Sequence, residues 1–202
     1  MIRKLIFNVF LKVNGKEFNE FPIFVENKKR WQKYCQEFEF DYLFFNDDNI
    51  DDYLGDKRDF YYGLEFNWQR IDFIRYLILN IEGGIYFDLD IYPNPLYDIS
   101  DLLNNKYILN YWNNKLGRKE ITNSIMAIEP GYFDSLIEYS INETGRCRAM
   151  NCYKIRKVRF MLHSTGVRMF KRWCKKQKLN YTDNIELYIT DQMTASWLTN
   201  FN

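Results

Sequence analysis

The chain has no long apolar run, no repeat and no linker-like composition, and each absence excludes a class of protein. A membrane-spanning helix needs about 20 consecutive apolar residues, and none of the 202 residues lies in such a run. The first residues turn polar too soon for a signal peptide, so none is expected. Without repeats, low-complexity segments or linkers, the sequence predicts a single domain over residues 1–202.

Cysteine and histidine are scarce, and zinc chemistry is not expected. The four cysteines fit no zinc-binding spacing, and His163 is the single histidine. We interpret the cysteines as reduced thiols of an intracellular protein and His163 as an ordinary core or surface residue. Heavy use of Asn, Ile, Lys, Tyr and Phe favours an AT-rich viral or bacterial source. The expected location is the cytoplasm, or the host cytoplasm if the source is viral.

The sequence has the composition of a globular protein and an uneven distribution of charge. Hydrophobic residues make up 47% of it and aromatic residues 19%, while the net charge is +1. Residues 145–178 contain twelve Lys and Arg residues and no Asp or Glu. Three interpretations stay open for this segment: a solvated helix face, a site for a diphosphate or anionic acceptor, and a patch in peripheral contact with a membrane. Nucleic acid is not an expected partner, because the pI of 7.6 is near neutral and no binding motif is present.

Segments of strand and helix character alternate along the chain, which predicts an α/β layered domain. Strands are predicted at residues 3–13, 40–45, 85–89, 107–111, 124–128 and 185–189. Helices are predicted at residues 26–38, 68–81, 132–141 and 166–178, with shorter helical pieces between 49 and 66.

Two carboxylates at the end of one predicted strand are the strongest functional signal. Asp88 and Asp90 alternate with apolar residues and follow Gly83-Gly84 and the buried-looking run that starts at Ile85. Open α/β sheets bind ligands at the carboxyl ends of their strands. Carboxylate oxygens there can hold a hard divalent cation, so Mn²⁺ or Mg²⁺ is expected rather than zinc.

An Asp and an Arg one helix upstream point to sugar recognition. Asp72 and Arg75 are three residues apart, so they share a helix face opposite Ile71, Ile74 and Ile78. Together they can accept and donate hydrogen bonds to the vicinal hydroxyls of a sugar. The alternative is a surface ion pair, which in isolation would be as good an interpretation.

The composite of these motifs resembles a known family. Asp72-x-x-Arg75-Tyr76, then Gly83-Gly84-Ile85-Tyr86-x-Asp88-x-Asp90 and Pro95-Leu96 resemble DXD-containing glycosyltransferases of family 32. That family includes yeast initiating mannosyltransferases and bacterial capsule transferases, and the catalytic domains of large clostridial glucosylating toxins are similar in this motif. Residues 123–131 and 164–166 resemble later Asn-containing and Thr-Gly blocks of the family.

The resemblance implies a GT-A fold, a Rossmann-like mixed sheet flanked by helices that binds a nucleotide-sugar. Asp90 would bind Mn²⁺ or Mg²⁺ directly, and Asp88 would contact the ribose or reach the metal through water. Asp72 and Arg75 would hold the donor sugar, with Tyr86 supporting the site. The expected reaction moves a sugar from a UDP- or GDP-sugar to a glycan, glycoconjugate or other hydroxyl acceptor, with retention of configuration. Polysaccharide biosynthesis is an expected role for such a reaction.

Three further positions are assigned by the same resemblance. Phe10 lies where the family's first strand usually ends in a Trp that stacks on the nucleotide base. Asp191 and Trp197 resemble an acid and a Trp that close over the diphosphate, with Asp191 as a further metal ligand. An inverting enzyme would instead need a carboxylate base, for which Glu129, Asp134 and Asp191 are candidates.

Two other functions use related residues. A metal-dependent nuclease or nucleotidyltransferase also uses paired carboxylates, but it needs a third one and does not predict the pair Asp72 and Arg75. A catalytically inactive sugar- or nucleotide-binding module is the second alternative. The intact Asp88 and Asp90 argue against that loss of activity.

Overall fold

A mixed five-stranded sheet forms the centre of the molecule. The computed structural model describes residues 1–12, 15–113, 116–150 and 157–192. The central strands, in chain order, are β1 (Leu5–Val9), β2 (Asp41–Phe45), β3 (Gly84–Phe87), β5 (Tyr107–Asn113) and β6 (Lys119–Ile128). They lie in the order β2-β1-β3-β6-β5. β2 and β3 run parallel to β1, whereas β6 runs antiparallel to both of its neighbours.

A second, two-stranded sheet lies beyond the end of β3. It consists of β4 (Ile91–Pro93) and β7 (Ile189–Asp191), which pair antiparallel. Since Ile91 is opposite Asp191, this small sheet brings a distant part of the chain next to the segment that follows β3.

Helices cover both faces of the central sheet. They are α1 (Pro22–Phe38), α2 (Arg58–Tyr62), α3 (Asn67–Glu82), α4 (Asp134–Ala149), α5 (Lys157–Ser164) and α6 (Val167–Lys176). α3, α4 and α6 pack on one face, in a core that includes Phe7 and Tyr86. α1 packs on the other face, where Trp31 stacks on Phe87 with ring centroids 4.0 Å apart. Neighbouring residues of β1 and β3 therefore face different cores, as the alternation of strand side chains requires.

The predicted α/β fold with a mixed sheet is confirmed, and most elements lie where the sequence placed them. The strand predicted at residues 185–189 is wrong. Residues Ile185–Leu187 form a 3-10 turn, and the strand begins only at Ile189. The sequence analysis also missed β4 and α5, which are both short.

In the described part of the basic segment, the surface of α6 is consistent with the interpretation as a solvated helix face. α6 buries Met169, Phe170, Trp173 and Cys174 and turns its basic residues outward. Several basic side chains have acidic partners on other elements, among them Lys171 with Glu120 and Arg172 with Glu143. In the part of the chain that is described, no helix has both the length and the apolar character needed to cross a bilayer.

Gly84 begins β3 at a point where two strands approach closely. Its φ is +86°, and a Cβ at this position would lie 2.6 Å from the carbonyl oxygen of Leu5 on β1. A side chain there is disfavoured twice, by the left-handed backbone and by the contact with β1. The parallel pairing of β1 with β3, which aligns the edge beyond Phe87, depends on this glycine.

We expect Gly84→Ala to destabilise the protein more than Gly131→Ala. Gly131 also has a positive φ, +79°, but its Cβ would meet no atom within 4 Å. Gly131→Ala should therefore cost about 1–2 kcal/mol of backbone strain, and Gly84→Ala about 1–3 kcal/mol more from the steric overlap. Urea unfolding of the two variants measures the difference, and equal losses would contradict the close approach of β1 and β3.

Candidate functional site

The site lies at the carboxyl edge of the parallel strands, in a turn that follows β3. The amide of Asp88 donates to the carbonyl of Ser124 on β6 at 2.8 Å, so pairing continues one residue past the end of β3. The chain then turns, and the amide of Ile91 donates to the carbonyl of Asp88 at 3.1 Å. Asp88 and Asp90 therefore lie in one β-turn, which we call the DXD turn (residues 88–91).

A buried arginine joins this turn to α3. Arg75 is 5% exposed, and its guanidinium forms ion pairs with Asp72 on its own helix and with Asp88, the latter at 2.8 Å. The hydroxyl of Tyr86 donates to the same Asp88 oxygen and accepts from Arg75 at 3.3 Å. The pair Asp72 and Arg75 is thus held against the carboxylate turn rather than exposed as a surface ion pair.

The carboxyl group of Asp88 is held in an environment that disfavours its charge. Burial raises its pKa from 3.8 to about 7, against the lowering effect of Arg75. The negative charges of Asp90 and Asp191 raise the pKa further, while the hydrogen bond from Tyr86 lowers it. Burial also keeps the pKa of Tyr86 well above its usual value, so this hydroxyl remains a donor.

Asp191 reaches the turn from the far end of the chain. β7 places it opposite Ile91, and its charge acts on Asp88 together with that of Asp90. Asp88, Asp90 and Asp191 lie together here, and Arg75, which pairs with both Asp72 and Asp88, supplies one positive charge. The excess of negative charge is one that a divalent cation would neutralise. Among the described residues, no three acidic, His or Cys side chains form a ready metal cage. Such a donor set suits a cation that takes its remaining ligands from substrate phosphates and water.

Asn123 and Thr165 also contact Asp72, although the sequence analysis gave neither residue a role. Asn123 Nδ2 donates to Asp72 at 3.1 Å and to the hydroxyl of Tyr76 at 2.8 Å. Thr165 Oγ1 donates to the other Asp72 oxygen at 3.5 Å, and its carbonyl accepts from Tyr76 at 2.9 Å. The only sequence signal was that both residues lie in blocks that resemble the family's later motifs.

Phe10 lies near the turn but presents little surface to a ligand. Its ring is 4% exposed and packs against Phe18 and Phe21 in a cluster that includes Leu89. Stacking on a nucleotide base would therefore require the ring to move, and its assignment stays a prediction. The other aromatic candidate, Trp197, lies outside the described residues.

The sheet separates the three carboxylates considered as a base for an inverting reaction. β6 runs antiparallel to β3, and Ile128 pairs with Gly84 at the start of that strand. Glu129 therefore follows at the edge opposite Asp88. Asp134 accepts from Asn80 near the end of α3, at that same opposite edge. Only Asp191 of the three lies beside the DXD turn.

The residues of this site lie in a segment that is similar to a known protein family. Residues 23–109 match the family model described as the glycosyltransferase sugar-binding region containing the DXD motif. Residues 23–109, less than half of the chain, are therefore similar to a DXD glycosyltransferase region. That region includes Asp72, Arg75, Asp88 and Asp90, and proteins with the motif generally use a divalent metal. A comparison with curated proteins found no match.

Solved structures bear on the fold of the chain. The chain is similar to the PaToxG glycosyltransferase, at 13% identity and a TM-score of 0.54 over 87% of this chain and 70% of that chain. It is also similar to a glycosyltransferase involved in the glycosylation of the major capsid of PBCV-1, at 11% identity and a TM-score of 0.42 over 71% of this chain and 66% of that chain. The first likeness identifies the fold as GT-A type.

The raised pKa of Asp88 predicts how the stability of the metal-free protein depends on pH. Its native pKa of about 7 lies above the ordinary value of 3.8, so the native state holds this proton more tightly than the unfolded chain does. The contribution of Asp88 to the free energy of unfolding therefore decreases as pH rises through this interval. Urea unfolding in the presence of a chelator, from pH ~5 to ~8, should show this decrease in the free energy of unfolding for the wild type. The decrease should be smaller for Asp88→Asn. The same slope in both proteins would contradict the assignment, and Asp101→Asn is the off-site control.

Proposed function

We propose that this protein is a metal-dependent transferase that moves a sugar from a nucleotide-sugar donor to a hydroxyl group of a glycan or glycoconjugate. The observation that carries this proposal is the position of Arg75, which is shared between Asp72 and Asp88. This position supports a site in which the pair suited to sugar hydroxyls lies directly beside the carboxylates suited to a cation. A donor whose sugar lies next to its diphosphate needs these two functions side by side.

Asp90 and Asp88 are the proposed ligands of Mn²⁺ or Mg²⁺, with Asp191 as a third carboxylate close by. Their oxygens and their shared negative charge support a hard divalent cation. Such an ion neutralises the negative charge that develops on the nucleoside diphosphate as it leaves. Asp88 is already paired with Arg75 and Tyr86, so its orientation is fixed before a donor binds.

Asp72 and Arg75 are the proposed partners of the donor sugar. Asp72 accepts hydrogen bonds from sugar hydroxyls, and the guanidinium of Arg75 donates to them. Asn123 and Thr165 each donate to Asp72, which leaves this carboxylate in a fixed orientation. A UDP- or GDP-sugar donor and a reaction with retention are proposed on the family resemblance. We assign no general base.

A thermal-shift screen of UDP-, GDP-, dTDP- and CMP-sugars, with and without Mn²⁺, tests the proposal first. A donor present at a hundredfold of its Kd stabilises the native state by about 2.7 kcal/mol. We expect a shift in Tm with one nucleotide class that requires Mn²⁺, followed by donor hydrolysis or transfer. A shift without turnover would indicate an inactive binding module. No shift with any donor would contradict the proposal and lead to tests of oligonucleotides as substrates.

Asp90→Ala should abolish both Mn²⁺ binding and Mn²⁺-dependent donor turnover, because it removes the proposed direct ligand. The matched control is Asp101→Ala, which removes an exposed aspartate of the 3-10 turn Ile99–Leu102. Mn²⁺ binding can be followed by electron paramagnetic resonance and turnover by release of the nucleoside diphosphate. Full activity of Asp90→Ala would show that the metal assignment is wrong.

Asp72→Asn separates the sugar site from the metal site. The substitution keeps the size of the side chain but removes a carboxylate oxygen that accepts from the sugar, so turnover should fall by about 100-fold or more. Binding of Mn²⁺ with the free nucleoside diphosphate should stay near the wild-type value, because neither contacts Asp72 in the proposed arrangement. Equal losses of both would place Asp72 with the metal ligands instead.

A further inference from the structure

Three buried side chains donate to alternate carbonyl groups of residues 87–91, which comprise the DXD turn and the residue before it. Asn8 Nδ2 donates to the carbonyl of Phe87 at 2.7 Å, from β1. Asn27 Nδ2 and Trp31 Nε1, both on α1, donate to the carbonyls of Leu89 and Ile91 at 3.0 Å and 2.9 Å. These carbonyls lie before and after Asp88 and Asp90 in the chain. The backbone that carries both carboxylates is therefore hydrogen-bonded to side chains of β1 and α1.

Asn27 does more than its neighbours, because it also reaches the segment after β7. Its amide nitrogen donates to Oε1 of Gln192 at 2.9 Å, and the backbone amide of Gln192 donates to the carbonyl of Asp90 at 3.0 Å. Asn27 and Gln192 thus hold the two successive carbonyls of Leu89 and Asp90 and are bonded to each other. We call this closed set of hydrogen bonds the turn clamp (Asn27, Gln192 and the carbonyls of Leu89 and Asp90).

The orientation of the Asn27 amide follows from the clamp. The residue is 1% exposed, and both hydrogens of Nδ2 have acceptors. Its Oδ1 is buried and has no hydrogen-bond partner among the described residues. Turning the amide over would bring Oδ1 against the Leu89 carbonyl, an acceptor facing an acceptor. The two donated bonds therefore account for a buried amide at a position on α1 where an apolar residue would otherwise pack.

We infer that Asn27 and Gln192 are positioning residues that fix the backbone of the DXD turn and thereby set the affinity of Asp88 and Asp90 for a divalent cation. The effect on cation affinity rests on the proposed function, whereas the fixing of the backbone does not. A carboxylate that rotates away from its partner loses affinity, so outer contacts of this kind commonly change metal affinity by about 10- to 100-fold. The clamp also makes the segment around β7 a required part of the metal site.

Gln192→Leu and Asn27→Leu test the clamp by two independent readouts. Each removes one side of the Asn27–Gln192 bond, and Gln192 is exposed, so its variant is expected to fold. We expect Mn²⁺ affinity, measured by electron paramagnetic resonance, to fall about 10-fold in each variant. Hydrogen exchange of the backbone amide of residue 192 should become faster in both variants, whether or not metal is present.

Two controls separate positioning from a general loss of stability. Gln192→Glu keeps an oxygen that can accept from Asn27. Hydrogen exchange of the backbone amide of residue 192 should therefore stay close to the wild-type rate in this variant. Asn80→Leu removes the hydrogen bonds of Asn80 to Asp134 and to the amide of Phe133, far from the turn. This variant should lower Tm without changing Mn²⁺ affinity.

The outcomes are distinct for the clamp and for the proposed function. A wild-type protein that binds no Mn²⁺ would contradict the metal-dependent function, but faster exchange in Asn27→Leu would still support the clamp. Unchanged exchange and unchanged Mn²⁺ affinity in Gln192→Leu would overturn the clamp. If Asn27→Leu does not fold, Gln192→Leu alone decides between these results.

Discussion

The compensation of one buried positive charge organises the site. Arg75 is 5% exposed, and a guanidinium in that position is tolerated only with charged partners and hydrogen bonds. Asp72 and Asp88 supply the charges, while Tyr86 adds a polar contact. Because Asp72 and Arg75 lie on α3 and Asp88 follows β3, this compensation fixes the helix against the end of the strand. The spacing between the pair Asp72 and Arg75 and the DXD turn follows from it.

The charge of Arg75 does not balance the whole edge. Burial is the main cause of the raised pKa of Asp88, about 7, and the negative charges of Asp90 and Asp191 beside it add to the shift. A site that only stabilised the fold would gain by replacing one of these carboxylates with a neutral residue. Retaining all of them at the ligand-binding edge of an α/β sheet is typical of a functional site.

What the sequence predicted well were the local features of this arrangement. The period of α3, the glycines at the start of β3 and the spacing of Asp88 and Asp90 are each contained in a few neighbouring residues. Asn27, Asn123 and Thr165 could not be found in this way, because each acts across tens of residues and none stands in a periodic pattern. The alternation of Ile185, Leu187 and Ile189 was misleading for a related reason. Leu187 is exposed in a 3-10 turn, and only the tertiary pairing with β4 decides where β7 begins.

The two faces of the sheet contact different groups of the DXD turn, because successive side chains of a strand point to opposite faces. Tyr86 and Asp88 point towards α3, where Arg75 holds the carboxylate itself. Phe87 points towards α1, where it stacks on Trp31, and the donors on that side hold backbone carbonyls rather than carboxylates. The α3 side therefore sets the charge of the turn, and the α1 side sets its backbone geometry. Both sets of contacts come from residues that belong to hydrophobic cores. A change of packing in either core therefore changes the position of the carboxylates, even when no residue of the site is substituted.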